Sequence, residues 1–213
     1  MINVLICGIG GKMGENLVSL LKDDRQAQVV CGVDLHTSEV NVPAVLAATG
    51  YTAEDLKFID KCAEKIAIFR TANFSVGVNL LVKLVREAAE ALGEKFDIEI
   101  IEKHHSQKVD APSGTALMLA DSAKSAFDGG KDYLYGRVGN VGKRKSEIGI
   151  HAVRGGTIVG EHDVMFAGED EIVTLSHSAR SKRVFAAGAV KAAKWLVGKP
   201  AGKYDMTNVL ENI

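Results

Sequence analysis

INVLICGIGGKMGENLVSLL (residues 2–21), followed by QVVCGVD (residues 28–34), is the stretch that decides the fold. Ile2 to Cys7 is a short, continuous apolar run rich in β-branched residues, as expected for a strand buried in a parallel sheet. It ends at Gly8-Ile9-Gly10-Gly11-Lys12-Met13-Gly14. A helical pattern with Leu17, Leu20 and Leu21 on one face follows, and residues 28–33 read as a second strand that closes at Asp34. Strand, glycine turn, helix, strand and acid is the dinucleotide-binding arrangement. Glycines let the backbone approach a pyrophosphate, and the helix start supplies amides and positive potential. Asp34 stands 26 residues after Gly8, near the expected place of a carboxylate that binds ribose hydroxyls. Met13 takes the third glycine position of GxGxxG, so the spacing is better described as GxxGxxG, through Gly8, Gly11 and Gly14. Asp34 alone favours NAD, because a carboxylate repels a 2′-phosphate. Lys12 and His36 could offset that repulsion, which leaves both nucleotides open.

Outward from this unit the chain departs from a regular doubly wound sheet. Only residues 35–42 separate the second strand from the apolar run Pro43 to Ala47, too few for the ~10–12 residues of a helical crossover. Either this half of the sheet lacks a unit or the run at 43–47 joins it in an unusual way. Ala47-Ala48-Thr49-Gly50 reads as a turn at a strand's carboxyl end, where ligands of open α/β sheets gather. Thr52, Glu54 and Asp55 signal a helix over residues 52–62. A strand over 65–70 and the polar turn Thr71-Ala72-Asn73-Phe74-Ser75 follow. Leu80, Leu81, Leu84, Val85, Ala88 and Leu92 recur at helical spacing, and Gly93 ends that helix. Residues 97–103 alternate as a strand, with Ile98 and Ile100 inward and Glu99 and Glu102 outward.

That strand feeds EKHHSQKVDAPSGT (residues 102–115), the densest concentration of chemistry in the chain. Imidazoles at 104 and 105 supply a proton donor and acceptor near neutral pH, and Lys108 supplies a fixed cation. The Pro-Ser-Gly-Thr turn opens a helical pattern through Ala116, Leu117, Leu119, Ala120 and Ala123. Amides of Ser113, Gly114 and Thr115 at its start form an anion site. The combination suits a small anionic substrate that must gain a proton. Residues 128–147 are rich in Gly, Lys and Arg and read as a solvated loop, with Lys143-Arg144-Lys145 as a weaker phosphate-contact candidate. Strands are expected at 148–153, 157–160, 164–166 and 171–176, in an antiparallel or mixed sheet. His151, His162 and His177 lie in or beside them without metal-ligand spacing. An Ala-rich helix over 184–197 closes the pattern, anchored to the core by Trp195.

A chain of 213 residues makes one large or two small domains. With 46% hydrophobic and 25% charged residues it can form a packed soluble core. The formal net charge of −1 gives no reason to expect nucleic acid or an anionic membrane as partner. Cys7, Cys31 and Cys62 lack metal-type spacing; the two in strand-like runs are expected to be buried free thiols in a reducing compartment. The N-terminus enters a strand directly, without a signal peptide, and no apolar run approaches the ~18 residues of a membrane span. A cytoplasmic location is the expectation.

Taken together, the motifs resemble the dihydrodipicolinate reductase family of bacterial lysine and diaminopimelate synthesis. The matching segments are GIGGKMG (8–14), ATGYT (48–52), TANFSVGVN (71–79), IEIIEKHHSQKVDAPSGTAL (98–117), RGGTIVGEHDVMFAG (154–168) and FAAGAVKAAKWL (185–196). The resemblance implies an α/β enzyme with two lobes. A shortened Rossmann-like nucleotide-binding lobe would take residues 1–72 and 187–213, and an α+β substrate and oligomerisation lobe with a mixed sheet residues 73–186. It implies reduction of (hydroxy-)dihydrodipicolinate, a cyclic imine dicarboxylate, to tetrahydrodipicolinate with NADH or NADPH, and a homotetramer. Hydride would go to ring C4 and a proton would come from His104, with Lys108 stabilising developing charge or holding a carboxylate. His105, Lys108, Ser113, Gly114 and Thr115 would hold the substrate, with Thr49 nearby. The cofactor would meet Gly8, Ile9, Gly10, Gly11, Lys12, Met13, Asp34, Ala47, Ala48, Thr49, Thr71, Ala72, Asn73 and Phe74; no metal is implied. Two departures touch the nucleotide lobe. The family's strand–helix segment between the second strand and the ATG turn, with its Phe-(Thr/Ser)-x-Pro, is absent. Ala48 also replaces the first Thr of the usual Thr-Thr-Gly. These departures favour an alternative, a degenerate non-catalytic homologue that binds nucleotide or dicarboxylate. The intact His104/Lys108 pair argues against it.

Overall fold

The computed structural model of the protein describes residues 1–33 and 42–211. In chain order the elements begin with β1 (Ile2–Cys7), α1 (Lys12–Leu21), β2 (Ala27–Val33), β3 (Ala44–Leu46), α2 (Ala53–Ala63) and β4 (Ala67–Arg70). Then come α3 (Val76–Leu92), β5 (Asp97–His104), α4 (Gly114–Lys124), β6 (Tyr133–Tyr135), β7 (Ile148–Arg154), β8 (Gly160–Ala167) and β9 (Ile172–Ala179). The chain closes with α5 (Arg183–Leu196), β10 (Gly202–Tyr204) and α6 (Met206–Leu210). Two compact units result, Met1–Val76 with Lys182–Ile213, and Gly77–Ser181. The divisions fall at 76/77 and 181/182 rather than at 72/73 and 186/187.

The first unit carries two small parallel ladders. β1 pairs with β2 from Ile2↔Ala27 to Cys7↔Val33, and a separate ladder runs in the order β10-β4-β3. This resolves the short link after β2. β3 pairs with β4 (Ala44↔Ile68) and β2 with β1, so β2 and β3 are not neighbours in one ladder. The crossover is β3–α2–β4, and α2 is started by a capping box. Thr52 Oγ1 accepts from the Asp55 amide (3.1 Å), and the Asp55 carboxylate accepts from the Thr52 amide (2.8 Å).

Helix α5 serves both ladders. Its Ala189, Ala192 and Leu196 pack with Ala67, Phe69, Phe74, Met206 and Val209, while Val190 lies against Ile6, Leu21 and Ala27. The small residues allow close approach. A Cβ on Gly188 would come within 1.7 Å of the Phe74 carbonyl oxygen. Trp195 anchors the helix edge-on against Phe69 and Tyr204. The elements β10 and α6, not anticipated from sequence, complete this core. Burial fails for one expected thiol: Cys7 is exposed, because alternation along β1 turns it to the face opposite the buried Ile6. Cys62 is half-buried.

The second unit is a five-stranded mixed sheet in the order β6-β7-β5-β8-β9, parallel across β6, β7 and β5 and antiparallel across β5, β8 and β9. Alternation sends Ile98, Ile100, Ile148, Ile150, Val164 and Phe166 to one face. There they meet Leu81, Val85 and Ala89 of α3 and Ala116, Leu119, Ala120 and Ala123 of α4. Burying each large side chain contributes roughly 1.5–3 kcal/mol. The same alternation corrects one expectation. Glu102 shares parity with Ile98 and Ile100 and is 0% exposed, not outward.

Two further expectations change. Residues 157–160 form no strand of their own; a turn leads into β8, which starts at Gly160. The stretch 128–147 is a solvated loop only in part: residues 138–143 are exposed, but the stretch contains β6 and is pinned by charge at Arg137 and Arg144. Glu99 accepts from Arg137 (2.9 and 3.0 Å), Arg144 (3.0 Å) and the His151 ring (2.7 Å). Its carboxylate reaches them across Gly149, where a Cβ would come 1.8 Å from Oε2. Burial opposes its ionisation, but Arg137, His151 and Arg144 outweigh that and hold its pKa down to about 2.

Candidate active site

The last inward positions of β5 turn from apolar to polar: Ile98 and Ile100 are followed by Glu102 and His104. At the carboxyl end of the strand His104 is 9% exposed, and its Nδ1 lies 2.6 Å from Glu102 Oε2. Glu102 also accepts from the Ser113 amide (2.9 Å) and, through both oxygens, from Arg154 (2.8 Å each). Arg154 is the register partner of His104 on β7. It also donates to the Asp110 carbonyl oxygen (2.6 Å), which ties the β5–α4 connection to the sheet.

Burial alone would raise the Glu102 pKa. Arg154, the His104 ring and the Ser113 amide outweigh it and leave the carboxyl below its ordinary range. The arginine's own pKa moves up in return, chiefly through its bonds to Glu102. An ionised carboxylate only accepts, so the proton between it and His104 sits on Nδ1.

A second histidine adjoins the first. His162, from β8, is 4% exposed and lies edge-on to His104 at 5.2 Å between ring centres. Its Nε2 is 3.0 Å from Ser113 Oγ, and its Nδ1 has no hydrogen-bond partner among the described residues. Burial, and then the neighbouring His104, push its pKa down to about 4, so it is neutral at physiological pH.

The turn between β5 and α4 is fastened at both ends. Ser106 donates to the Gly156 carbonyl oxygen (3.2 Å), and Gly155 donates to that of His104 (2.9 Å). The Ala111–Pro112 peptide is cis. Ser113 caps α4 by accepting from the Ala116 amide (3.1 Å). The anion site therefore differs from expectation. The Ser113 amide is already committed to Glu102 and the Ala116 amide to Ser113 Oγ, so of the expected anion site only the first-turn residues Gly114 and Thr115 are left as candidates. Lys108 pairs with Asp110 at 2.7 Å, and His105 is half-buried beside it in the turn.

The remaining sequence-predicted residues belong to the first unit. Gly8 has φ +74°, the left-handed region that favours glycine, and Gly11 donates to its carbonyl oxygen (3.1 Å) before capping α1. Gly14 sits inside α1, where a Cβ would come 2.4 Å from the Ile9 carbonyl oxygen. It thus fills the close-packing role of the third glycine, one step later than in GxGxxG. Ile9 faces the core beside Ile6 and Leu21, whereas Gly10 and Lys12 are exposed. A tight glycine turn running into a helix start fits a pyrophosphate.

Ala47, Ala48 and Thr49 follow the carboxyl end of β3, and Thr71 to Phe74 follow that of its neighbour β4, so these two turns share one sheet edge. Phe74 is a core residue, 6.0 Å from the Phe69 ring, and offers a ligand only its backbone. Thr71 and Asn73 shape the turn; Asn73 Oδ1 accepts from the Ser75 amide (2.8 Å). Thr49 lies in this unit, apart in the chain from the other proposed substrate residues. Asp34 and His36 lie outside the described residues.

Sequence reasoning missed Arg154 and His162 as site residues and faced Glu102 the wrong way. Strict alternation from Ile98 would have turned Glu102 inward. Among the described residues no group of His, Cys, Asp and Glu is arranged to hold a metal ion, and no helix is long and apolar enough to cross a membrane.

Comparison with known proteins finds one family across the chain. Family models described as dihydrodipicolinate reductase, N-terminus and C-terminus, match residues 2–42 and 77–210. A 4-hydroxy-tetrahydrodipicolinate reductase from Caldanaerobacter subterraneus subsp. tengcongensis is 44% identical, over 99% of both chains. One from Clostridium tetani is 40% identical, over 100% of this chain and 98% of its own. The solved structure of dipicolinate-bound dihydrodipicolinate reductase from Paenisporosarcina sp. TG-14 matches with a TM-score of 0.79 and 25% identity, covering 98% of this chain and 99% of that one. The Caldanaerobacter alignment spans 249 positions against a chain of 213, so at least 36 positions have no counterpart here.

Proposed function

This chain belongs to the dihydrodipicolinate reductase family, and from that premise we propose that it reduces 4-hydroxy-tetrahydrodipicolinate to tetrahydrodipicolinate in lysine and diaminopimelate synthesis. The observation that carries the reading is His104. It is a nearly buried imidazole bound to an ionised carboxylate that also accepts from the Ser113 amide at the start of α4. When bound, NADH or NADPH supplies a hydride to ring C4. His104 gives the proton to the neighbouring carbon, and the 4-hydroxyl leaves as water ahead of the hydride, so loss of water, one hydride and one proton complete the conversion. Lys108, leaving Asp110, holds a ring carboxylate or offsets developing charge, together with His105 and the Gly114 and Thr115 amides. Ser113 shapes this site by capping, and Thr49 is the contact proposed from the first unit.

The pyrophosphate is assigned to Gly8, Ile9, Gly10, Gly11, Lys12 and Met13, and the ribose to Asp34. The nicotinamide side is assigned to the turns Ala47–Thr49 and Thr71–Phe74. Both nucleotides remain candidates. A homotetramer built through the mixed sheet of the second unit, in the cytoplasm, completes the proposal.

His104→Gln is expected to lower kcat by roughly 10²-fold or more with nucleotide affinity nearly unchanged; equal loss of both would remove His104 from the chemistry. Lys108→Ala should weaken binding of pyridine-2,6-dicarboxylate, and unaltered affinity would break the carboxylate assignment. The shorter chain favours a second reading, binding without turnover. Calorimetry separates the two: on that reading the dicarboxylate binds and neither reduced nucleotide does.

A further inference from the structure

Glu102 has no capacity left for a substrate. Its two oxygens accept from His104, from the Ser113 amide and twice from Arg154, which fills the roughly four acceptor positions of a carboxylate. Fully buried and held ionised, it can neither donate a proton nor bind an anion. What it can do is decide which nitrogen of His104 carries the fixed proton. On the opposite side of the ring, a Cβ on Gly160 would stand 3.0 Å from His104 Nε2, so the glycine keeps that nitrogen uncrowded. Lys108 and Asp110 pair with each other in the adjoining turn, and the one other ring against His104 is the neutral His162. Within this unit Glu102 is the sole carboxylate bonded to the His104 ring among the described residues.

We infer that Glu102, locked by Arg154, is a positioning residue that fixes His104 with its proton on Nδ1 and presents Nε2 as the atom that delivers the proton to substrate. This rests on His104 being the acid of the proposed reduction. The chemistry makes a sharp prediction for an isosteric change. In Glu102→Gln the amide oxygen can still accept from the Ser113 amide, so the anion turn is kept. The amide nitrogen then takes the place of Oε2, donates to His104 Nδ1, and gives up the bond that Oε2 accepted from Arg154 Nη1. That inverts the neutral tautomer and leaves the ring without the counter-charge that supports an imidazolium.

The test uses the full-length protein with ¹⁵N-labelled histidine, in mildly alkaline solution where imidazoles are neutral, with the His104 signals assigned by their loss in His104→Gln. The wild-type ring is expected to carry its proton on Nδ1, and Glu102→Gln should move it to Nε2. In the same variant kcat should fall roughly 10²-fold or more, within the range of a lost general acid, while pyridine-2,6-dicarboxylate affinity is kept. Gly160→Ala should lower kcat less and leave the tautomer in place. A wild-type His104 protonated on Nε2 overturns the inference even if Glu102→Gln does not fold, and so does a folded Glu102→Gln with unchanged kcat. If His104→Gln itself retains full turnover, the proposed reduction by His104 fails. If only His104→Gln is impaired, the positioning role alone fails.

Discussion

In the Gly77–Ser181 unit two carboxylates of β5 and the loops around them are fixed by charge. Glu102 is bound by Arg154, His104 and Ser113, and Glu99 by Arg137, Arg144 and His151. In the other unit backbone is held close by missing side chains, at Gly14 and Gly188, and Gly8 supplies a positive φ, with apolar packing behind them. The difference teaches what each half can tolerate. A charged network fails when a proton or a partner is removed, and a close-packed turn fails when a methyl group is added.

The largest effect should come from Gly188→Ala. Its Cβ would lie 1.7 Å from the Phe74 carbonyl oxygen, so backbone must move, at a cost of about 3 kcal/mol. Urea unfolding of the first unit reads this directly; a loss under about 1 kcal/mol would mean that α5 is loosely packed. Acid should do to the second unit what the methyl does to the first. Glu99 titrates near 2 when folded, against 4.5 when unfolded. Its contribution is therefore complete above the unfolded value and disappears as pH falls from there towards about 2. Over that interval the wild type should lose on the order of 2 kcal/mol more than Glu99→Gln; equal losses would remove the network from the stability of the sheet.

Gly14→Ala sharpens the comparison at the level of binding. The added methyl would press on Ile9 at 2.4 Å. Nucleotide affinity should fall about tenfold, worth about 1.4 kcal/mol, with dicarboxylate affinity unchanged. Loss of both would show that the two units do not respond separately. The smallest effect is expected for Thr52→Ala, which removes half of a capping box and should cost about 1 kcal/mol.

What could be read from sequence follows the same line between local and distant causes. The glycine turn, the HHSQK and PSGT motifs and the helix carrying Leu81 and Val85 depend on neighbours a few residues away. Periodicity and turn chemistry were enough to find them. Glu102 was legible only through strict alternation, which its charge seemed to contradict until Arg154, far along the chain, supplied the partner. The Lys- and Arg-rich stretch 128–147 looked solvated for the same reason. The carboxylate that organises it, Glu99, lies 38 residues before Arg137. The short link after β2 leaves two arrangements open to a local reading, a missing unit or an unusual joining of the run at 43–47. Pairing of β3 with β4 is a tertiary fact that no local pattern carries. Strands as short as β6 and β10, three residues each, exist only through their neighbours.

The most direct measurement is nucleotide oxidation by the purified protein supplied with freshly generated 4-hydroxy-tetrahydrodipicolinate, with NADH and with NADPH, beside His104→Gln. The account predicts turnover with at least one nucleotide, inhibition by pyridine-2,6-dicarboxylate, and a rate at least about 10²-fold lower in the variant. Dicarboxylate binding with no turnover on either nucleotide would contradict it and leave the shortened chain as a binding protein.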